Sequence, residues 1–404
     1  MLPPFLYDQS IMWRPFFLAW RSVKYYRTRS ILLMLCLAIT FALPLASRML
    51  IVDFESQLRS RAEATPLAVG AKGSRFDLAL HVLYFKEPAL PVIKFREYDR
   101  LSKTDYGTIF PIHRQLTVQG APLVGTNSAY FSFRDLEVAE GKHIGRLGDC
   151  VVGAALAEEL EVGPGDHLTV DVNNVFSIAG IPPLRLNVVG VLKSNHSADD
   201  EAVFVTVQTA WVATGLGHGH EGAADVDHNV KGNDPQETQK ALGASAILPY
   251  TEITDENIND FHYHGEQYDF PITAIIIDPA SEREKTLLRG QYVADDAEYQ
   301  IVQPLEVVDE LMEVVFQFRF FLDLVAVLMG VTTCCLLLLI GWLTLQIRQG
   351  EMQTMVRIGS SRSMIFQIHA AEIGFLLLGA IVVTGGLLLV IRFLGTSFLI
   401  QFLV

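Results

Sequence analysis

The sequence predicts an α-helical membrane protein with a large extracytoplasmic α+β domain, one N-terminal and two C-terminal transmembrane helices, and helical stalks between spans and domain. Three observations predict this class. Apolar runs at about 30–52, 318–345 and 365–391 each reach or exceed the roughly 20 residues that cross a bilayer. The stretch between the first two runs is acidic, mixed in pattern and holds no further run of spanning length. Lys and Arg collect beside the runs in segments that can share one compartment.

Residues 1–29 read as a cytoplasmic amphipathic segment carrying Arg14, Arg21, Lys24, Arg27 and Arg29. The first span, 30–52, holds the uninterrupted apolar stretch Ile31 to Ala46. A signal peptide is the competing reading, but no small-x-small cleavage site stands out after it, which favours an uncleaved anchor. The second span, 318–345, has Asp323 near its start, and the third, 365–391, contains only His369 and Glu372 as ionisable groups. Arg348, Arg357 and Arg362 lie between the second and third spans. Basic residues in short flanking segments stay cytoplasmic, so both basic segments are placed inside and residues 53–317 outside. The tail 392–404 is apolar but too short to cross by itself.

Composition agrees with a membrane anchor bearing a polar domain. Half of the 404 residues are hydrophobic and the mean hydropathy is +0.31. The net charge of −14, concentrated in the middle domain, argues against a nucleic-acid partner. Of the four cysteines only Cys150 falls in that domain, so its fold must rest on a hydrophobic core rather than on disulfides within it.

Within 53–317, Phe54, Leu58 and Arg61 continue the first span at helical spacing, and Val308, Leu311 and Val315 lead into the second; these segments predict two stalk helices. Short β-type runs at Val92–Phe95, Leu168–Val172, Phe204–Val207, Ala274–Ile277 and Tyr299–Val302 alternate with helical patterns at Ala154–Leu160 and Ser281–Arg289. Gly70 to Ser74 lacks the spacing of a phosphate loop and reads as a Gly-rich bend leaving the stalk. Gly215 to Asp234 is polar and unperiodic, a long loop between two lobes.

The basic segment 346–364 is the most informative. Gly350 is expected to end the preceding helix, and Glu351 to open a short one with Met352, Met355 and Ile358 on one face. Gly359 stops it, and Ser360 and Ser361 cap the next helix, with Arg362 at the membrane edge. The plain reading is a connector with snorkelling arginines; the sharper one is a docking helix for a cytoplasmic partner.

The order Glu351, Met355-Val-Arg-Ile-Gly-Ser-Ser-Arg362, Ile365 and Glu372 resembles the signature of the FtsX-like, MacB-type permeases of ABC transporters. Cys150 to Asp166, Leu186 to Leu192 and Ala202 to Thr206 are similar to that family's extracytoplasmic core, and Pro66 to Asp77 to a segment of a bacterial subgroup of it. The resemblance implies that Glu351, Met355, Arg357, Gly359, Ser360 and Arg362 form the coupling helix and contact a separately encoded cytoplasmic ABC ATPase. It implies a non-enzymatic permease in the bacterial inner membrane, in contact with lipid and paired as a homodimer or heterodimer. Family members usually carry four spans, whereas three read out here.

A His-rich stretch offers the one ligand cluster. His218, His220 and His228, with Glu221, Asp225 and Asp227, suit zinc or another divalent transition metal, although the spacing fits no closed tetrahedral pattern, which favours a solvated acidic loop in which the histidines are incidental. His262 and His264 follow with Glu266 and Asp269. Glu372 is a carboxylate at membrane depth, expected to face a helix partner or a cavity unless it snorkels to the surface. No catalytic constellation reads out. The expected function is therefore ATP-driven motion of the outer domain for lipoprotein, peptide or similar export or release. The alternatives are a membrane-anchored regulator of an extracytoplasmic partner such as a cell-wall hydrolase, and a metal-handling accessory protein.

Overall fold

The computed structural model describes residues 9–87, 89–171, 182–219, 250–293, 297–347 and 349–403. It divides into two compact units, one drawn from the residues up to Gln57 together with Leu311–Leu399, the other built on Leu58–Glu310.

The first unit is helical. Helix α1 (Gln9–Tyr25) precedes α2 (Arg27–Glu63), which holds Pro44 in its interior. Three helices among the described residues are long and apolar enough to cross a membrane: α2, the long helix Pro304–Ile347, and the last helix up to Arg392. Small residues let them approach closely. Ala38 and Ala380 are fully buried, and the Thr384 hydroxyl donates to the Ala38 carbonyl at 3.2 Å. Their outward faces carry exposed apolar side chains such as Leu32, Phe320, Leu338 and Val382, as lipid-facing helices do. The last helix runs unbroken over Arg362–Leu403. Residues 392–403 continue that helix.

The second unit is α+β. Its strands are β1 (Leu67–Ala71), β2 (Ile93–Lys94), β3 (Gly107–Val118), β4 (Ala121–Thr126), β5 (Val138–Gly141), β6 (Asp149–Val152), β7 (His167–Thr169) and β8 (Leu184–Leu192). They continue with β9 (Val203–Thr206), β10 (Gly217–His218), β11 (Thr251–Glu252), β12 (His262–Tyr263), β13 (Pro271–Ile272), β14 (Ala274–Pro279) and β15 (Tyr299–Val302). Eleven of the described strands form one mixed sheet, with the path β11-β8-β6-β9-β4-β3-β14-β1-β15 and with β5 and β7 also on β8. The pairs β4·β9, β6·β8 and β8·β11 are parallel. The chain returns to the sheet through α3 (Arg75–Tyr84), α4 (Phe95–Ser102), α5 (Ala129–Phe133), α6 (Ala154–Leu160), α7 (Val207–Ala213) and α8 (Glu282–Gln291), and leaves it in α9 (Pro304–Ile347).

Local chemistry sets most of these boundaries. Ser74, Thr206 and Ser281 cap α3, α7 and α8 by accepting from Asp77 N, Thr209 N and Arg283 N, each satisfying one orphan donor of the first turn. Ala-Ala-Leu-Ala-Glu-Glu-Leu over α6 is a run of strong helix formers. β14 is apolar on both faces, with Ala274, Ile275, Ile276 and Ile277 all fully buried, as expected of an interior strand covered on both sides. Two hydrophobic clusters result. One gathers Leu67, Val69, Ile275, Ile277, Trp211 and Phe270; the other gathers Cys150, Val152, Val188, Val203 and Val205.

Three local expectations change. Gly70 and Ala71 belong to β1, which is buried along its whole length and flanked by β14 and β15, so the bend begins only after it. The run Val92–Phe95 is cut to Ile93–Lys94 because Phe95 opens α4, where its ring meets Trp211 edge-on at 5.0 Å. Gly217 and His218, read as loop, form β10 because they pair with β12.

Candidate functional site

The segment between the last two long helices folds as expected in outline, with two changes. A short helix, α10 (Gln349–Arg357), contains Gly350 rather than starting after it; the Thr354 hydroxyl donates to the Gly350 carbonyl at 2.9 Å. Its C-terminus is a complete Schellman motif. Gly359 N donates to Val356 O and Ser360 N to Met355 O, both at 3.0 Å, and Gly359 sits at φ +101°, a left-handed conformation that glycine alone enters freely. Ser361, not Ser360, caps the final helix, α11 (Arg362–Leu403), by accepting from Met364 N at 3.2 Å. Met352 and Met355 are half-buried, while Arg357 and Arg362 are exposed. Ile358 leaves the apolar stripe and stands 81% exposed, because the helix ends one residue before it. Glu351 lies within α10.

Deeper in the helical unit, Glu372 is 7% exposed and faces its own helix neighbour, with His369 Nδ1 at 3.2 Å from Glu372 Oε2. Both line a cavity of about 290 Å³ with Arg29, Ser30, Cys334 and Gly341. The carboxylate is thus turned toward the interior of the helical unit.

Sequence reasoning missed the most tightly built polar group of the α+β unit. Arg61, in the last turn of α2, pairs with Asp199 through two hydrogen bonds, Nη1 to Oδ2 at 2.6 Å and Nη2 to Oδ1 at 3.2 Å. Its Nε donates to the Leu83 carbonyl, and its guanidinium lies over the Tyr84 and Phe85 rings at 5.9 and 5.7 Å. Asp199 also accepts from the Tyr130 hydroxyl and from Ser197 Oγ, each at 2.9 Å. Burial alone would raise the Asp199 carboxyl, but the Arg61 guanidinium outweighs it and holds the group down at about 2. Burial and the Asp199 charge push Tyr130 up to about 12. Around this buried pair runs a rim of exposed ion pairs. Arg59 meets Asp309 at 2.9 Å, Arg75 meets Glu310 at 3.2 Å, and Arg289 meets Glu306 at 3.0 Å. The end of α2 and the start of α9 are therefore clamped to each other and to α3 and α8. The available signal was Arg61 itself, a charge on the helix stripe that also carries Phe54 and Leu58, since a charge on a buried face requires a buried partner.

Of the predicted metal ligands, His218 is on β10, while His220 and His228 lie outside the described residues. His218 faces His262 across the β10·β12 pair, and His264 joins them, so that the ligand atoms of all three lie within 4.8 Å of one another.

Residues 30–244 match the family model of the MacB-like periplasmic core domain. No curated protein matches the chain. Two solved structures are similar to it at 12% identity. The periplasmic region of MacB from Actinobacillus actinomycetemcomitans aligns over 62% of this chain and 92% of that one, with a TM-score of 0.33. The extracellular domain of the noncanonic ABC-type transporter YknZ from Gram-positive bacteria aligns over 58% and 98%, with a TM-score of 0.30. With the family model covering more than half of its 404 residues, the chain belongs to the MacB/FtsX-like family, whose mark is the MacB-like periplasmic core domain.

Proposed function

We propose that this chain is the permease subunit of an ABC transporter, seated in the bacterial cytoplasmic membrane with its α+β domain outside. In this reading it transmits the ATP-driven motion of a separate ATPase to that domain, and so moves or releases a lipoprotein, peptide or similar substrate. The observation that carries the reading is the match of residues 30–244 to the MacB-like periplasmic core domain, in a chain with three helices long and apolar enough to cross a membrane. Coupling between distant sites uses chains of packed side chains and secondary elements with two arrangements. Family membership supports the ATPase partner. The basic residues before the first span and around α10 support a cytoplasmic position for both segments. A second copy of the chain, or a related permease, completes the helical bundle, and lipid covers its exposed apolar faces.

In this mechanism Glu351, Met355, Arg357, Gly359, Ser360 and Arg362 meet the ATPase. The Schellman turn at Gly359 fixes the angle at which α10 leaves the surface and presents Arg357 and Ile358 to the partner. Arg357→Glu reverses the exposed charge, and Gly359→Pro cannot adopt the positive φ. With the full chain reconstituted in vesicles beside its ATPase, both variants insert normally, and both return the ATPase to its unstimulated rate. Full stimulation by both variants would remove the docking role from α10.

A further inference from the structure

We propose that His218, His262 and His264 bind a divalent transition metal, zinc foremost, as a three-imidazole site on the outer face of the α+β domain. The backbone places them. β10 and β12 pair antiparallel with His218 opposite His262 and Gly217 opposite Tyr263, and residues two apart on an extended segment share a face, which puts His264 beside His262. Tyr263 points the other way, into the aromatic cluster with Trp211 and Phe270 at 6.3 and 5.9 Å, and its hydroxyl donates to the Gln208 carbonyl at 3.3 Å. That packing holds the strand so that the flanking histidines face outward. Gly217 is needed for the register, since a Cβ there would sit 2.8 Å from the Tyr263 ring.

The geometry suits a metal. The three rings stand at centroid distances of 4.9, 4.8 and 4.8 Å, a nearly equilateral triangle. Zinc bonded to nitrogen at about 2.0–2.1 Å in tetrahedral geometry sets its ligand nitrogens roughly 3.3–3.4 Å apart, and His218 Nε2 and His264 Nε2 already lie at 3.4 Å. An N–H···N bond between two imidazoles accounts for that one edge, and His262 completes the three-ring cluster. The His262 Nδ1 lies 3.2 Å from the Asp260 carbonyl; a carbonyl only accepts, so Nδ1 carries the proton, which directs Nε2 to the role of metal ligand, as outer-shell partners do in established sites. Small side-chain rotations close the remaining edges, because His218 and His264 are exposed and His262 is half-buried. Three protein nitrogens leave one position for water or for a donor from a bound partner. The ion would staple β10 to β12, two strands far apart in the sequence.

The test uses the full chain, purified in detergent without a polyhistidine tag and stripped with chelator. Zn²⁺ is titrated calorimetrically, and Co²⁺ serves as a spectroscopic probe. The expected result is one equivalent per chain and a four- or five-coordinate Co²⁺ spectrum. His218→Ala, His262→Ala and His264→Ala should each weaken binding by at least the roughly 10- to 100-fold that loss of an outer-shell partner costs, while His167→Ala changes nothing. Glutamine variants at the three positions keep size and polarity and guard against misfolding. Absence of saturable uptake overturns the assignment. So does uptake that survives the triple variant, or that disappears only when His220 and His228 are changed.

Discussion

Replacing Asp199 with alanine is expected to destabilise the α+β domain by about 3–5 kcal/mol, the loss seen when one partner of a buried ion pair is removed. The pair is truly interior: the Arg61 side chain is 9% exposed and that of Asp199 1%. After the substitution the guanidinium keeps the Leu83 carbonyl and its two aromatic neighbours but has no counter-charge, and water does not reach it to compensate. Asp199→Asn, which can keep one hydrogen bond to Arg61, should cost less. Denaturant unfolding of the full chain reads the difference, and hydrogen exchange over Leu58–Thr65 should accelerate with it, since that turn of α2 is tied to the domain through Arg61. A loss below about 1 kcal/mol, the range of exposed pairs, would show that the pair does not hold the helix end. The variant also separates two parts of the proposed mechanism: α10 is untouched, so ATPase docking should persist while transport falls. Acid acts on the same pair in a defined window. With the folded carboxyl near 2 and an unfolded one near 3.9, the stabilisation is complete above about pH 4 and is lost as pH falls toward 2.

The second large effect appears in milder acid. Burial lowers both His81 and His113 to about 4. Burial keeps His81 neutral: its Nδ1 donates to the Lys86 carbonyl and its Nε2 lies against the Thr273 hydroxyl oxygen, each at 2.7 Å. His113 has no partner for either ring nitrogen among the described residues, so a proton there would be buried without relief. A folded value below the ordinary one of about 6.5 means that the unfolded chain binds more protons in between. Stability is therefore full above about pH 6.5 and declines as pH falls toward 4, by of order 3 kcal/mol for each histidine. Melting temperatures between pH 7.5 and 4.5 check this. The wild-type curve should fall steeply, and His113→Gln should flatten it even where it lowers the neutral-pH value. A flat wild-type curve over that range would contradict the neutral, buried assignment.

Much of the architecture was legible because it rests on local or compositional physics. Spans follow from run length and apolarity, and the loop helix from spacing that ends at Gly359. Helix α6 follows from a run of strong helix formers. The strands that were missed are those whose local signals contradict their place. β3 carries Pro111, His113 and Arg114, residues that argue against an interior strand; it forms because β14 and β4 pair with it on either side. Gly70 and Ala71 read as part of a glycine-rich bend and belong to the buried strand β1 for the same reason. The site followed the same division. The loop residues lie within one segment and could be named together, whereas Arg61 and Asp199 are 138 positions apart, and His218 lies 46 from His264.

By itself the sequence determined what short-range periodicity and solvent preference can encode: three helices long and apolar enough to cross a membrane, their flanking charges, an acidic α+β domain with a single cysteine, and a short helix closed by glycine. The tertiary structure alone decided which charge meets which in the interior and which histidines share a face. Those pairings depend on strand register and helix docking across long sequence separations, and many compact arrangements would satisfy the same hydrophobic pattern. The burial of Arg61 against Asp199 and the packing of Tyr263 between its outward-facing histidines are two such pairings.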